Sequence, residues 1–547
     1  MGEDVARGSR WGLDYLLLAL AGLGMWASFP FVGAWYLLPV SLAVLISVVD
    51  RVGVGRASWY GFVAGWGFFL AHIWWATVAV GSYLPWAVLA GIQGLFMGAW
   101  TGTVAWLRPL RAKVRWIWVD ALIVGLSFAG MEQLRSRIPF GGFPWALVGY
   151  SQVDGPLGHL APWGSEVTIA VAVVVSATLA RRIFSLVSWQ RPRHWFSRPL
   201  AAGLGVAVGV LPILLPLPAS QQDGAVRVGI IQGNVEPPVD ETFAVENKVA
   251  GNHTRTTLEA VKAGLSADLV VWGENSLDRD ARVNRSAMEL VRQASNAVAV
   301  PLLVGAVRHE DEVRFNDAVL YYPGGKLGPV YTKQKPVPFG EYIPMRDFLS
   351  ILSKETARVS SDMVGGTEPG LLDVTLNDGR KLPLAVGICF ESAYEEIFAE
   401  PVRSGAQVIV VPTNNSAFGM TAESLQQLQM VRLRAMSLSR SAMQVSTNGV
   451  SALVRPNGAV VASTDLFTSA WREAELPLRH EVTFSARFKP VVDVAAMVFW
   501  GAVVVLGAGA RRATRPRPAG KAAPAKTASR RRNATVRRGR RARTNRR

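Results

Sequence analysis

Cys389 is the residue in this sequence best suited to chemistry. It is the only cysteine among the 547 residues, and it follows the apolar run 382–388, which predicts a buried strand. A single cysteine cannot form an internal disulfide and is a poor zinc ligand. The end of a strand delivers a side chain to the rim of a sheet, where nucleophiles are often placed. An isolated cysteine is more often a buried core residue than a nucleophile. The residues predicted to lie near Cys389 must therefore distinguish the two interpretations.

Glu274 and a lysine in the segment 331–344 supply the groups that a cysteine nucleophile needs. Glu274 ends a second apolar run, 267–273, and the segment contains Lys333 and Lys335. A thiol with a pKa of about 8.5 is mostly protonated at neutral pH, so it needs a base or a cation nearby. A buried carboxylate can be that base, and an ammonium group can stabilise an oxyanion. Taken alone, an acid after a strand is usually solvated and a lysine in a proline-rich loop usually lies at the surface, so neither residue is specific by itself.

Other catalytic or metal-binding patterns are missing from the sequence. It has no G-x-S-x-G motif, and its six histidines are scattered without an H-x-x-x-H pair. We therefore predict no metal site and no cofactor.

The first 217 residues predict a helical membrane domain. Half of all residues are hydrophobic and the mean hydropathy is +0.23, which is high for a soluble protein. Eight apolar stretches are long enough to span a bilayer. Charged loops between them disfavour the alternative, buried helices of a soluble protein. The predicted spans are 11–29, 31–49, 59–80, 84–107, 116–134, 167–186, 199–217 and 491–510.

Basic residues in alternate loops predict the orientation in the membrane. Arginines precede the first span and lie between spans two and three, four and five, and six and seven. The positive-inside rule therefore places the N-terminus in the cytoplasm; Arg135 and Arg137 are exceptions to the pattern. Seven spans then place residues 218–490 outside the cell membrane, and the helix 491–510 returns the C-terminus to the cytoplasm.

Residues 511–547 form a basic tail. They hold 16 lysines and arginines and no acidic residue, so the rest of the chain accounts for only +2 of the net charge of +18. The remaining residues are mostly Ala, Pro, Thr and Gly, which predicts disorder. We expect the tail to contact anionic lipid at the inner leaflet, or an unknown cytoplasmic partner. We expect no nucleic-acid binding, because no aromatic residue interleaves the arginines.

Residues 218–490 predict an α/β catalytic domain. A polar linker, 218–225, precedes alternating short strands and amphipathic helices separated by turn signals. A domain of about 265 residues can bury a full core without disulfides. The predicted strands are 226–232, 268–273, 301–307, 317–322, 382–388, 407–411, 443–447 and 450–454.

The order Glu274, Lys333, Cys389 resembles the nitrilase superfamily. In that superfamily the glutamate is the general base, the lysine stabilises the tetrahedral intermediate, and the cysteine is the nucleophile. Combined with a multi-span membrane half, it resembles the apolipoprotein N-acyltransferase family over nearly the whole chain. Spacing to Gly340-Glu341 matches the family's lysine to Lys333 rather than to Lys335. The other motifs that carry the resemblance are 28–30, 61–67, 141–145, 231–234, 425–441 and 446–449.

The resemblance implies a fold and a reaction. The fold is a polytopic α-helical membrane domain with an extracytoplasmic α-β-β-α sandwich, in the plasma membrane of a bacterium. The reaction passes an acyl chain from a membrane phospholipid to Cys389 as a thioester. It then passes the chain to the α-amine of the diacylglyceryl-modified cysteine that begins an apolipoprotein.

The resemblance also implies supporting residues. Glu341 and Glu391 would orient Lys333 or its loop, or would be buried ion-pair partners without a part in proton transfer. Phe143, Trp145 and Tyr342 would line the path of the lipid, or would only anchor loops at the membrane interface.

Three positions depart from the family pattern, one of them Pro336, where relatives usually have leucine. Gly273 stands where relatives have proline, which predicts a looser turn around Glu274. The segment 414–418 reads N-N-S-A-F in place of N-D-A-W-F, which leaves the gating of an active-site loop open.

Two other functions stay open. One is a membrane-anchored, nitrilase-like amidase that hydrolyses a small C–N substrate. A tether would need one span rather than seven, which disfavours it. The other is a binding or transport protein with an inactive hydrolase-like domain, and the intact glutamate, lysine and cysteine disfavour that.

Overall fold

The structure is a computed structural model. It describes residues 2–514 except 115, 182–196, 221, 237–238, 240–241, 243–244 and 348–358. The basic tail from residue 515 onward, and residues 182–196 around the end of the sixth predicted span, lie outside the described residues.

The N-terminal half is built from apolar helices that approach one another closely. Gly65 and Gly94 are two such points of contact, since a Cβ on Gly65 would lie 2.7 Å from Cβ of Met97 and one on Gly94 would lie 3.0 Å from N of Trp66. Small residues of this kind let helix backbones pack in a membrane. The described helices here are α1 (Gly2–Ala27), α2 (Leu37–Val49), α3 (Val54–His72), α4 (Trp75–Val80), α5 (Tyr83–Trp106), α6 (Arg108–Arg111), α7 (Ile117–Arg135), α8 (Val148–Ser151), α9 (Ser165–Ala180) and α10 (Ser197–Val210).

Three described helices are long and apolar enough to cross a membrane, namely Tyr83–Trp106, Ile117–Arg135 and Phe484–Gly509. They coincide with the predicted spans 84–107, 116–134 and 491–510. Shorter apolar helices coincide with four more of the predicted spans: Trp11–Ala27, Leu37–Val49, Ser165–Ala180 and Leu200–Leu214. The count of eight spans stays a prediction.

The predicted span 59–80 is not one helix. It is divided between α3 and α4, which are separated at Ile73-Trp74. The backbone carbonyl of His72, the last residue of α3, accepts a hydrogen bond from Nε2 of Gln426 at 3.0 Å. A contact from the C-terminal half therefore coincides with the end of this helix, which the local sequence could not indicate.

Two six-stranded sheets form the C-terminal half. Their strand orders are β12-β1-β2-β3-β4-β5 and β11-β10-β9-β8-β7-β6. Three neighbouring strands are parallel in each sheet, β1–β2–β3 and β7–β8–β9, and the other pairs are antiparallel. The strands are β1 (Ala225–Gln232), β2 (Leu269–Trp272), β3 (Leu302–Glu310), β4 (Val313–Tyr322), β5 (Lys326–Thr332), β6 (Leu371–Thr375), β7 (Lys381–Val386), β8 (Val408–Thr413), β9 (Ser441–Ser446), β10 (Ala452–Val454), β11 (Val460–Ser463) and β12 (Ala470–Pro477).

All eight predicted strands are present, and the four that the sequence did not predict are the four sheet edges. Edge strands β5, β6, β11 and β12 are only partly buried. A strand with one solvated edge does not need the continuous apolar run of a central parallel strand. The hydrophobic pattern therefore reveals the centre of each sheet and misses its margins.

Helices cover the outer faces of the two sheets. The sheets share a core of fully buried side chains, including Ile230 and Val410. The first sheet packs Trp272 against Val291. The second sheet packs Ile409 in a cluster that continues into the membrane half. The covering helices are α11 (Lys248–Lys262), α12 (Arg285–Val298), α13 (Glu395–Arg403) and α14 (Glu423–Leu438), and α15 (Phe484–Thr514) follows the last strand.

Buried ion pairs connect the two halves. Nη1 of Arg434 on α14 lies 3.0 Å from Oε2 of Glu166 on α9 and 2.7 Å from Oε2 of Glu395 on α13. Lys489 on α15 pairs with the other oxygen of Glu166 at 2.9 Å. Arg137 lies 2.6 Å from Oδ2 of Asp493, so this exception to the basic-loop pattern is an ion-pair partner in the fold. Charges buried in this way are tolerated only when they are paired.

Candidate active site

Cys389 lies in a strained turn at the end of β7. The strand stops at Val386, and a 3-10 turn, Cys389–Ala393, begins two residues after Gly387. The cysteine backbone has a φ of +54°, a conformation that costs a non-glycine residue about 1–3 kcal/mol. Strain of this kind clusters at functional sites, and here it places Cys389, a residue of intermediate exposure, beyond the edge of the sheet.

Glu391 holds this turn and the lysine loop together. Its carboxylate accepts hydrogen bonds from the backbone N–H groups of Ile388 at 2.6 Å, Gln334 at 2.7 Å and Lys335 at 3.0 Å. The phenol of Tyr331 donates to the same carboxylate at 2.9 Å. The side chain is fully buried and accepts from four donors, so it joins the turn to the loop. The loop-orienting role expected for Glu391 stays a prediction.

Lys333 lies between two carboxylates. Its Nζ is 3.2 Å from Oε1 of Glu274 and 2.7 Å from Oε1 of Glu341. Glu341 also accepts from the backbone N–H of Val337 at 2.7 Å, so it is fixed within the same loop. An ammonium group has three N–H donors, and the two carboxylates use two of them.

Glu274 is held from both sides. Nδ2 of Asn316 donates to its Oε1 at 2.6 Å, and the backbone N–H of Asn414 donates to its Oε2 at 2.8 Å. The looser turn expected from Gly273 stays a prediction, although the backbone is closely packed there. A Cβ at position 273 would lie 2.6 Å from N of Thr447, so the glycine permits a close approach of backbones that confines Glu274.

The topology explains why these residues meet. Strands β2 and β5 run in the same direction within one sheet, so Glu274 and Lys333 follow strand ends at the same edge. Cys389 follows the end of β7 in the facing sheet. The three predicted catalytic residues, which are far apart in sequence, are thus brought to one site.

Burial and charge set the protonation of the site. Burial raises the pKa of the Glu274 carboxyl; Lys333 opposes the rise and the charge of Glu341 adds to it. Burial disfavours the charged form of Lys333, but the two carboxylates outweigh it and raise its pKa, so the ammonium stays protonated. Burial, with Glu274, also raises the pKa of the Cys389 thiol. The resting site therefore holds a thiol, and a base must remove its proton.

Lys335 is outside this cluster. Its Nζ lies 3.8 Å from Oε1 of Glu396, and both side chains are about half exposed. The ammonium group also lies 4.9 Å from the ring centre of Tyr394. Of the two candidate lysines, Lys333, which the spacing favours, contacts Glu274, and Lys335 does not.

Aromatic residues of the membrane half reach the nucleophile turn. The rings of Trp145 and Phe390, the residue after Cys389, are stacked with centres 6.4 Å apart. The ring of Phe143 is also stacked with that of Trp145, with centres 6.2 Å apart. Nε1 of Trp145 donates to Oε1 of Gln426 at 2.6 Å. The predicted residues Phe143 and Trp145 therefore lie beside the site.

Tyr342 is placed differently. It is half-buried in the lysine loop, where its backbone carbonyl accepts from the N–H of Phe339 at 2.8 Å. Within the described chain no ring contact joins it to Phe143 or Trp145. Its predicted contact with lipid stays a prediction.

Three residues of the site were not predicted. Asn316 and Asn414 bind Glu274, and Glu423 is a buried carboxyl near the cysteine. Asn316 is the fourth residue of β4. No signal in the sequence indicates that its side chain faces the site. Asn414 lies three residues beyond the predicted strand 407–411 and begins the segment 414–418, whose likeness to a family motif is a signal that could have found it.

Comparison with known proteins covers both halves of the chain. Residues 21–179 match a family model described as the apolipoprotein N-acyltransferase N-terminal domain. Residues 227–480 match the model described as carbon-nitrogen hydrolase. An apolipoprotein N-acyltransferase from Mycolicibacterium smegmatis is 32% identical over 534 residues, covering 91% of this chain and 87% of that protein.

The chain belongs to the apolipoprotein N-acyltransferase family. A relative of the same name from Pseudomonas putida is 28% identical over 519 residues, covering 90% of this chain and 97% of that protein. A solved amidase of the nitrilase superfamily from Nesterenkonia AN1 has a TM-score of 0.36 at 17% identity, over 47% of this chain and 93% of its own. That likeness is too weak to carry an argument.

Membership of the apolipoprotein N-acyltransferase family confirms the resemblance drawn from the motifs. It also confirms the expectation of a nitrilase-like domain, here with two sheets, joined to apolar helices. The predicted domain boundaries at residues 217, 490 and 510 stay predictions.

Proposed function

We propose that this protein transfers an acyl chain from a membrane phospholipid to the N-terminal diacylglyceryl-cysteine of apolipoproteins. The observation that carries the proposal is the similarity to apolipoprotein N-acyltransferases over 91% of the chain, membrane half included. A carbon-nitrogen hydrolase domain alone would fit many substrates. The additional match of residues 21–179 to the N-terminal domain of this family favours a lipid substrate.

The first half-reaction forms a thioester. Glu274 takes the proton from Sγ of Cys389, and the thiolate attacks the ester carbonyl carbon of the phospholipid. The ammonium of Lys333 and backbone N–H groups near Cys389 stabilise the tetrahedral oxyanion. The C–O bond then breaks, and Glu274 returns the proton to the oxygen of the departing lysophospholipid. Cys389 is left acylated.

The second half-reaction forms an amide. The free α-amine of the diacylglyceryl-cysteine attacks the thioester carbonyl, and Glu274 accepts a proton from the amine nitrogen. The C–S bond breaks, and the thiolate regains a proton from Glu274. Glu341 fixes Lys333, and Glu391 fixes the nucleophile turn, while neither exchanges a proton with substrate.

The proposed topology places residues 218–490 outside a bacterial plasma membrane, with both termini in the cytoplasm. The basic loops of the sequence support this orientation. The C-terminal helix supports membrane insertion: only 17% of its most apolar window is buried within the protein. Exposed apolar residues at this density require lipid around them.

The experiment is mass spectrometry of a lipoprotein N-terminus produced with and without this protein. The proposal expects one additional amide-linked acyl chain only when the protein is present. A lipoprotein N-terminus that carries no added acyl chain when the protein is present would contradict the proposal. The alternative, a small-substrate amidase, predicts that result together with ammonia release from simple amides.

A further inference from the structure

Glu423 is a buried carboxyl that the reaction described above does not use. It is the first residue of α14 and is 2% exposed. Its Oε2 accepts a hydrogen bond from Nδ2 of Asn415 at 2.8 Å. Across the ranges that the structure describes, no lysine or arginine pairs with it. Buried acids are rarely left without a cation, so this one calls for an explanation.

Glu423 is held next to the catalytic base by the end of a single strand. The backbone N–H of Asn414 binds Glu274, and the side chain of the next residue, Asn415, binds Glu423. Oε1 of Gln427 accepts from Thr413 Oγ1 at 3.0 Å and from Asn415 Nδ2 at 2.9 Å, which fixes this strand end. The two carboxyls therefore share one rigid support.

The charge of Glu423 also reaches the nucleophile. A negative charge on Glu423 contributes to raising the pKa of the Cys389 thiol, after the larger effects of burial and Glu274. Burial, assisted by Glu274 and opposed by Asn415, raises the pKa of Glu423 itself to about 8. An α-amino group titrates at about 7.7–8.0. The rise moves the pKa of the Glu423 carboxyl towards that of an α-amino group.

The same face of α14 leads towards the membrane half. Gln426, three residues along the helix and so on the same side, accepts hydrogen bonds from Nε1 of Trp75 at 3.0 Å and Nε1 of Trp145 at 2.6 Å. A lipid-linked amine that approached Cys389 past these aromatic residues would pass along this face of α14.

We propose that Glu423 binds the α-ammonium group of the acceptor and takes one proton from it, so that the neutral amine can attack the thioester. The inference rests on the proposed function and adds a residue that recognises its second substrate. One N–H bond of the ammonium breaks, and the proton moves to the carboxylate of Glu423. The second proton leaves the nitrogen for Glu274 during attack. Solvent removes the first proton after the product departs.

The phospholipid donor brings no amine to be deprotonated at the reacting ester. The ammonium site that Glu423 provides therefore acts in the second half-reaction, and the two halves can be measured apart. E423Q retains the hydrogen bond from Asn415, because an amide oxygen accepts as a carboxylate oxygen does. It removes the proton acceptor and the charge that attracts a cation.

The test uses the full-length protein in detergent or vesicles. Wild type and E423Q are first acylated with phospholipid alone. Each then receives a synthetic peptide beginning with S-diacylglyceryl-cysteine or, separately, neutral hydroxylamine. E400Q is the matched control, the same change at an exposed position on α13.

We expect E423Q to load its acyl chain within about twofold of wild type, while kcat/KM for the peptide falls about tenfold or more, the value of a charged hydrogen bond. Release by hydroxylamine, which needs no ammonium site, should be unchanged. E400Q should match wild type in all three measurements.

Two results would overturn the inference: transfer to the peptide at the wild-type rate in E423Q, or equal loss of loading and transfer. If E423Q cannot be acylated, E423D, which retains the carboxylate on a shorter chain, is put through the same comparison. A selective transfer defect there supports the inference, and equal losses again overturn it. Failure of the wild type to load phospholipid would contradict the thioester mechanism itself, which distinguishes the two outcomes.

Discussion

Nζ of Lys333 lies 3.2 Å from Oε1 of Glu274, although 59 positions separate the two residues in the sequence. Both side chains are almost completely buried. A second carboxylate, from Glu341, contacts the same ammonium group at 2.7 Å. The proposed base and the proposed oxyanion-stabilising cation therefore form one preorganised unit facing Cys389.

The first prediction separates the two lysines. K333A should lower acyl transfer by roughly a hundredfold or more, since a preorganised oxyanion donor is worth about 3 kcal/mol. K335A should retain most activity, because its partner Glu396 is solvent-exposed. Initial rates of thioester formation measure both.

Loss of the buried cation also leaves two carboxylates uncompensated, which costs about 3–5 kcal/mol of folding free energy. Thermal-unfolding midpoints recorded beside the rates distinguish lost chemistry from lost fold. Retained activity in K333A with activity lost in K335A would show that the lysines are assigned the wrong way round.

The second prediction concerns Gly273. G273A adds a Cβ that would lie 2.6 Å from N of Thr447 and 2.8 Å from C of Ser446. We expect destabilisation of about 1–3 kcal/mol and slower acylation, because the displaced turn carries Glu274. Denaturant unfolding and acylation rates measure the two effects.

G251A is the matched control for this prediction. Gly251 lies in α11, where an added Cβ meets no atom within 4 Å. Alanine at a helical position should be neutral or should stabilise by about 0.5–1 kcal/mol. Equal behaviour of the two variants would mean that the close approach at Gly273 has no consequence.

The third prediction is a pH dependence. The proposed base must be ionised, and burial raises the pKa of Glu274 above its ordinary value of 4.5. Acylation should therefore be lost as pH falls, with the acid limb of the rate profile above pH 4.5. The profile is measured with phospholipid alone, and E274Q should be inactive throughout. A wild-type acid limb below pH 4.5 would contradict a raised pKa.

The fourth prediction is topological. A reporter fused at Gln222 should lie on the outer side of the membrane, and one fused beyond Ala510 should lie in the cytoplasm. The basic loops and the basic tail predict this orientation. An internal report at Gln222 would reverse the proposed orientation and would place the catalytic domain in the cytoplasm.

The sequence was most informative where a strand ends on a reactive side chain. The apolar runs before Glu274 and Cys389 identified both strands, and parallel topology then brought their ends together. The sequence did not predict Asn316 and Glu423, the polar residues near Glu274 and Cys389. Both stand at positions where no local pattern requires a polar side chain. Hydrophobic periodicity reports burial and says nothing of contacts across a sheet.

The junction between the halves shows the same limit. Arg137 was an exception to the basic-loop pattern, and the structure pairs it with Asp493, 356 positions away. Likewise, the predicted span 59–80 is divided where His72 meets Gln426. Long-range pairs of this kind arise from the fold, so a single sequence cannot reveal them.

The most direct test of the account is the mass of the intact protein after incubation with phospholipid alone. We predict one added acyl group that neutral hydroxylamine removes, since a thioester reacts with that nucleophile, and we predict no adduct on C389A. Ping-pong kinetics should accompany it. A wild-type protein that shows no adduct with the donor alone, yet turns over when both lipids are present, would contradict the covalent mechanism and the role assigned to Cys389.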